Sequence, residues 1–367
     1  MKVSVLIPVY RDSDLLESLL NDILSDTYND KEIFVIIDEP SKKSLKLVEK
    51  YRERVNFILN GLRKGKVCAL NDAVKKSSGD ILLFLDADVY LNNCKNFIEK
   101  VVENIKSTDL VEIKKKIIIR NFLTKLVSYD YMSFNFVNWL FSKTLHRCIG
   151  INGAAFAIKK KTFLELGGFK RVISEDLYLG MESFLKKKRF KYIDEIEVLN
   201  EAPLNWKKWF KQRKRWGYGA AMWFKDYFKD LLKITLKFPQ ILLPSLIFIF
   251  PSLTLLVLIF SPLTGFLEKI LVFLEILFAT KISVFIPIAL GTINILLIMK
   301  NFMYTFISFL SSLIIYFVAS RILKYRFRIH EFLIYYFIYS FIWLAIIVTS
   351  VIKVSLNRKI KLENWKY

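Results

Sequence analysis

Several short stretches of this chain combine residue types and spacing that can do chemistry. Asp86-Ala87-Asp88 ends the apolar run Ile81-Leu82-Leu83-Phe84-Leu85, so both carboxylates leave one strand end together. Two acids so placed suit a hard divalent cation, Mg²⁺ or Mn²⁺, which takes carboxylate oxygens and the phosphate oxygens of a ligand. A leaving diphosphate needs that neutralisation, although Asp-x-Asp alone also occurs in solvated turns. Glu175-Asp176 follows Ile173-Ser174. An acid there reads as a helix start or as a general base that takes the proton from an attacking hydroxyl. Gln212 and Arg215 are three apart and share a helical face, beside Trp216. Arg215 can clamp a diphosphate and Trp216 offers a flat face to a sugar ring; a membrane anchor would use the same residues.

Those groups need elements to position them. Val3-Ser4-Val5-Leu6-Ile7-Pro8-Val9 reads as a buried strand. Leu15, Leu16, Leu19, Leu20, Ile23 and Leu24 then recur at helical spacing. Ile33 to Ile37 predicts a second strand ending at Asp38, Ser44 to Arg54 a helix, Phe57-Ile58-Leu59 a short strand and Val67 to Lys76 a helix. Arg63-Lys64-Gly65-Lys66 precedes that last helix, either as an exposed basic turn or as a contact for phosphate or base. Asn71 lies on the helix itself, where a surface position would explain it equally. Continuous apolar strands alternating with helices predict an α/β domain with a mainly parallel sheet. Ligands gather at the carboxyl ends of such strands, where Asp38 and Asp86 sit.

From Leu110 to Arg147 the chain is basic and aromatic. It reads as a pair of helices packed on the sheet, or as a surface leaning on a membrane. Gly150 to Phe169 predicts a small-residue turn, a strand over Ala154 to Ile158 and a helix ended by Gly167-Gly168. Trp206 to Phe228 mixes Trp, Phe, Lys and Arg at helical spacing, as in a helix lying among lipid headgroups.

The chain has 367 residues, 54% of them hydrophobic, a net charge of +22 and a mean hydropathy of +0.34. The apolar excess is concentrated beyond Phe238. There Phe238 to Leu263, Ile282 to Met299, Phe302 to Ser320 and Phe332 to Ile352 are each long enough to cross a bilayer. Phe266 to Ala279 is interrupted by Glu268, Lys269 and Glu275 and reads as interfacial or as part of an irregular hairpin. The expectation is four spans with both ends inside. With apolar spans nearby, the positive charge fits membrane lipid and phosphorylated ligands rather than nucleic acid. Cys68, Cys94 and Cys148 form no zinc or disulfide pattern, and His146 and His330 are too few for a His-rich metal site. Met1 to Tyr10 carries Pro8 and is followed by Arg11 and Asp12. It therefore does not read as a signal peptide, and the soluble part is expected in the cytoplasm.

Together the residues resemble the family 2 glycosyltransferases, and within them the membrane-bound synthase type. The resemblance runs over residues 1–225. It lies in Val5-Leu6-Ile7-Pro8-Val9-Tyr10, Asp38, Arg63-Lys64-Gly65-Lys66-Val67-Cys68-Ala69-Leu70-Asn71, Phe84-Leu85-Asp86-Ala87-Asp88, Asn152-Gly153-Ala154, Gly167-Gly168-Phe169, Glu175-Asp176 and Gln212-x-x-Arg215-Trp216. It implies an α/β GT-A (Rossmann-like) domain over 1–203, interfacial amphipathic helices over 204–237, a helical transmembrane region over 238–353 and a basic tail over 354–367.

It also implies inverting transfer of a sugar from a nucleotide-sugar donor to a lipid-linked or glycan acceptor at the cytoplasmic membrane face, with Mg²⁺ or Mn²⁺. By that resemblance Asp176 is the general base, with Glu175 beside it. Asp38 contacts the base, Asp86 the nucleoside side and Asp88 the metal, with Asp86 as a second ligand. Pro8, Tyr10 and Lys66 belong to the donor site, Gln212 and Arg215 hold the diphosphate, and Trp216 and Gly153 face the acceptor. Asp38-Glu39-Pro40-Ser41 stands where Asp-Asp or Asp-Gly-Ser is usual, and Ser174 where Thr is common. The spans are fewer than in large polysaccharide synthases, which favours one or a few additions to a lipid-linked acceptor over a processive synthase. The reading of another class is a non-enzymatic transporter or nucleotide-sensing subunit, which Asp88 and Asp176 disfavour. Homo-oligomers are compatible with the sequence.

Overall fold

The computed structural model describes residues 1–92, 94–259 and 286–356. Two compact units emerge, Met1–Phe238 together with the chain from Ile346 onward, and Pro239–Ala345.

The first unit is built on an α/β alternation: β1 (Val3–Tyr10), α1 (Leu16–Ser25), β2 (Lys31–Asp38), α2 (Lys42–Tyr51), β3 (Asn56–Asn60), α3 (Lys66–Lys76) and β4 (Ile81–Leu85). It continues through β5 (Val89–Asn92), α4 (Phe97–Lys106), β6 (Leu110–Ile117), α5 (Phe122–Thr144), β7 (Ala155–Lys159), α6 (Lys160–Glu165), α7 (Glu175–Leu185) and β8 (Phe190–Asn200). The helices α8 (Trp206–Asp226) and α9 (Phe228–Lys237) follow. The strands form one eight-stranded sheet in the order β3-β2-β1-β4-β7-β6-β8-β5. Strands β3, β2, β1 and β4 run parallel, while β7 pairs antiparallel with both β4 and β6. Val3, Val5, Ile7 and Val9 pack into the main core with Leu16, Leu19, Leu20 and Ile23 of α1 and Phe97, Ile98, Val101 and Ile105 of α4. Each fully buried side chain of this size contributes about 1.5–3 kcal/mol of hydrophobic stabilisation. Phe84 takes a separate aromatic cluster, with ring centroids 4.9 Å from Phe156 and 5.1 Å from Phe169.

Register brings the future site together. Tyr10 is level with Asp38, and Asp38 with Asn60. Leu85 pairs with Ala155, and the Asp86 amide donates to Ala154 O at 2.9 Å, so the loop before β7 lies beside Asp86.

The segment from Leu110 to Arg147 differs from the expected pair of helices or membrane-leaning surface. It forms one strand and one long helix inside the fold. The lysines do not mark a surface because acids neutralise them. Lys115 Nζ lies 2.9 Å from Glu112 Oε1 with both side chains buried, and Lys114 and Lys116 each lie 2.9 Å from Glu197 Oε2. A register shift between Ile113 and Lys114 brings Glu197 level with Lys114. A capping box, Asn121 with Thr124, starts α5.

The second unit holds α10 (Pro239–Ile249), α11 (Pro251–Ile259), α12 (Ile286–Ile322) and α13 (Ile329–Ile334), which runs through a π-helical turn (Tyr335–Tyr339) into α14 (Ser340–Ser355), whose residues from Ile346 belong to the first unit. Where the sequence predicts separate spans at Ile282–Met299 and Phe302–Ser320, one helix runs through from Ile286 to Ile322. Lys300 and Asn301 between them carry neither proline nor glycine, so nothing stops the hydrogen-bond ladder. Among the described residues two helical stretches are long and apolar enough to cross a membrane, Met299–Ile322 and Ile329–Ser355. The predicted Phe238–Leu263 stretch is divided at Pro251 into α10 and α11, its last residues lying outside the described part, as do the Phe266–Ala279 segment and the tail beyond Leu356. Several buried hydroxyls in this unit are paired: Tyr316 Oη donates to Phe248 O at 2.7 Å and Ser308 Oγ lies 2.6 Å from Tyr336 Oη.

Gly180 lets α7 rest directly on the backbone at Gly150. A Cβ at position 180 would lie 2.5 Å from Gly150 Cα and 2.8 Å from its carbonyl carbon. Because backbone must give way, Gly180→Ala is expected to cost about 1–3 kcal/mol. The loss should appear as a lower unfolding midpoint of the detergent-solubilised protein.

Candidate active site

The ends of β1 and β4, the start of α3, the loop before β7 and the start of α7 meet in one cleft. Pro8, Lys66, Asp86, Gly153, Glu175 and Asp176 line it. All six are expected from the sequence, where they lie on five separate segments.

Lys66 is the first residue of α3. Gly65 before it has φ +90°, a left-handed backbone that glycine adopts without steric cost. Its amide donates to Asp38 Oδ2 at 2.8 Å, while Asn60 Nδ2 donates to Asp38 Oδ1 at 2.8 Å. Asp38 thus anchors the loop that delivers Lys66. Lys66 Nζ reaches Asp86 Oδ1 at 2.8 Å and Glu175 Oε1 at 3.2 Å. Burial alone would push this ammonium down, but Asp86 and Glu175 outweigh it and hold its pKa above the usual lysine value. Glu175 is buried, and burial pushes its carboxyl up against the opposing pull of Lys66.

Asp176, one residue on, is half-buried in the cleft. Its Oδ2 accepts from the Gly153 amide at 2.8 Å and its Oδ1 from the Leu177 amide at 2.8 Å. Two backbone donors therefore fix the carboxylate's orientation. Gly153 leaves little space here, since a Cβ would lie 3.1 Å from Asp176 Oδ2. The Gly153 loop has its own support, because the buried Glu112 Oε2 accepts from Asn138 Nδ2 at 2.8 Å and from the Asn152 amide at 3.3 Å.

Asp88 stands exposed at the rim. Desolvation by the surrounding protein and the neighbouring Asp86 push its carboxyl up to about 6. Like charges held together at a strand end are what a divalent cation relieves, and hard carboxylate oxygens are the donor type Mg²⁺ and Mn²⁺ prefer. Among the described residues no group of three or more His, Cys, Asp or Glu side chains is placed to hold an ion. A cation held by this pair would need waters and the phosphate oxygens of a bound molecule as its remaining ligands.

Tyr10 is exposed beside the cleft, with the Arg63 guanidinium 4.2 Å from its ring centroid. On α8, started by the Asn205 cap, Gln212, Arg215 and Trp216 are all half-buried. The Gln212 Oε1 atom is buried with no hydrogen-bond partner among the described residues. Gly219 of α8 packs against Ser174, next to Glu175. Asn71 proves to be a clamp, with Nδ2 donating to Phe169 O at 2.9 Å and Oδ1 accepting from Phe169 N at 3.0 Å. Sequence reading missed Glu112 and Asn138 behind the loop, and the buried pair Asp130–Arg213. The available signals were an acid ahead of the lysine run and a lone Asp in an aromatic stretch.

Comparison with known proteins agrees with this geometry. The family model "Glycosyl transferase family 2" matches residues 4–150, and "Glycosyl transferase family group 2" matches residues 81–354. Poly-beta-1,6-N-acetyl-D-glucosamine synthase of Staphylococcus aureus is 28% identical over 251 residues, covering 66% of this chain and 60% of its own. A Bacillus subtilis protein named probable glycosyltransferase YdaM is 25% identical over 259 residues, covering 64% of this chain and 59% of its own. The chain thus spans about three fifths of the length of these curated relatives. Among solved structures, the mannosyltransferase PcManGT from Pyrobaculum calidifontis, in complex with GDP-Man and Mn²⁺, aligns with a TM-score of 0.50 at 18% identity, over 62% of this chain and 64% of that one. That likeness concerns the fold. With family models spanning both the sheet and the helices beyond it, the chain belongs to the family 2 glycosyltransferases and carries their GT-A fold.

Proposed function

We propose that this protein transfers a sugar from a nucleotide-sugar donor to a lipid-linked or glycan acceptor at a membrane surface, with inversion at the anomeric carbon. One observation carries the reading: Lys66, Asp86, Gly153, Glu175 and Asp176 line a single cleft at the strand ends. Asp176 takes the proton from the acceptor hydroxyl as its oxygen bonds to the anomeric carbon. The bond from that carbon to the diphosphate oxygen breaks, and the nucleoside diphosphate leaves from the opposite face. The Gly153 and Leu177 amides hold Asp176 in place for this step. Asp86 and Asp88 would hold Mg²⁺ or Mn²⁺, whose charge offsets that of the leaving diphosphate. The Mn²⁺ of PcManGT supports that assignment by analogy. Gln212 and Arg215 would bind the diphosphate and Trp216 the acceptor ring.

The membrane setting is supported by the two apolar helical stretches and by the exposed Phe224, Phe228, Leu232 and Leu236, interleaved with lysines on α8 and α9. We read the catalytic unit as cytoplasmic. A second reading, processive synthesis of a polysaccharide, is favoured by the Staphylococcus relative, whose name describes a polymer of N-acetylglucosamine. Membranes holding the protein, incubated with labelled UDP- and GDP-sugars, should release nucleoside diphosphate and label a lipid-extractable or glycan product. Sizing that product separates the readings: a lipid-soluble product bearing one or a few sugars supports short addition, and long polymer from the purified protein replaces it. Absence of turnover across the donor panel would sink both.

Three variants test the roles. Asp176→Asn should lower transfer by about 10²–10⁴-fold while the donor still binds; near-normal turnover would move the base elsewhere, first to Glu175. Asp88→Ala should abolish the part of donor binding that depends on divalent ions, leaving an affinity that EDTA no longer changes. Trp216→Ala should weaken acceptor use far more than donor binding, read from separate saturation curves.

A further inference from the structure

Arg213 lies between Gln212 and Arg215, and its side chain is the one turned fully inward, with 0% exposure. Its Nη2 donates to Asp130 Oδ2 at 2.7 Å, and Asp130, on α5, is itself only 2% exposed. The same guanidinium lies 4.3 Å from the ring centroid of Trp216 and 5.6 Å from that of Trp209. These tryptophans stand three residues after and four before it, so one helical turn above and below on a single face.

A buried ion pair is a poor source of stability, since apolar residues of similar size often hold a fold as well or better. What it supplies is direction. The planar guanidinium can meet one carboxylate and stack on a ring in only a narrow range of ring orientations. We infer that Asp130 and Arg213 are positioning residues for the acceptor: Asp130 fixes the guanidinium, and the stacked guanidinium holds the Trp216 ring as the platform for an acceptor sugar. The inference rests on the reading of Trp216 as the acceptor contact.

The partition of labelled donor between transfer and hydrolysis tests it, in membranes from the expressing cells, which supply the acceptor. A purely structural role would lower both products together and leave their ratio unchanged. Arg213→Lys keeps a cation for Asp130 but loses the planar stack. The double variant Asp130→Leu/Arg213→Met removes both charges with little change in size, and is the form in which an apolar replacement can keep the fold. Both are expected to lower the transfer-to-hydrolysis ratio by about threefold to thirtyfold, in the direction of Trp216→Ala, with donor affinity unchanged. A wild-type ratio in either variant, with unfolding and donor binding normal, overturns the positioning role while leaving the proposed function standing. A wild-type ratio in Trp216→Ala removes the acceptor reading of Trp216 and the positioning role with it. Should the double variant fail to fold, Arg213→Lys alone decides the matter.

Discussion

The Lys66 ammonium stands between Asp86 and Glu175, and the cleft takes its form from that contact. Asp86, Asp88, Glu175 and Asp176 bring four carboxyl groups to adjoining strand and helix ends. Carboxylates removed from water repel one another unless a cation is fixed among them. Lys66 meets that need from a helix whose start is fixed by Gly65 and Asp38, so the loop after β3 and the charge balance are one construction. The same ammonium makes its ion pairs with Asp86 and Glu175 rather than with Asp88 at the rim. Desolvation and the charge of Asp86 raise the Asp88 carboxyl, and a second cation would relieve that charge.

Behind the cleft, close backbone approach does what charge does in front. Gly180 permits α7 to lie on Gly150, and Gly153 permits Asp176 to receive a backbone amide. Glu112 then fixes the loop between these contacts through Asn152, with Lys115 as its buried counter-ion. Burial pushes the Glu112 carboxyl up and the Lys115 ammonium down, each opposed by the partner, so neither would be held without the other. The rigidity of the proposed base thus comes from a small-residue turn and a buried ion pair, with no long side chain reaching across open solvent.

In the second unit the constraint is the burial of hydroxyls among apolar side chains. Hydroxyls of Tyr316, Tyr336 and Ser308 are buried, and each is matched to a carbonyl or another hydroxyl within the unit. Sequence hydropathy marks such helices only as apolar, and the π-helical turn at Tyr335–Tyr339 among these tyrosines has no signature in composition.

Local pattern was enough for the front of the site. The unbroken apolar runs of β1 and β4 could be read as buried strands, and Asp86 follows from where β4 stops. The Gly167-Gly168 helix end and the aromatic-basic helix α8 were likewise written in short stretches. Pairings between distant segments were not. Lys114, Lys115 and Lys116 look like a surface because their counter-ions, Glu112 and Glu197, are assigned by the turn of one strand and the register of another. Arg213 looks like one more cation in a basic run until α5 brings Asp130 against it. The long helix from Ile286 to Ile322 replaced two expected spans because span counting follows hydropathy, whereas a helix continues until its hydrogen-bond ladder is interrupted. Periodicity and punctuation act over a few residues and are carried by the sequence itself. The partners of Arg213 and Lys114 lie tens of residues away, and only the packed chain selects them.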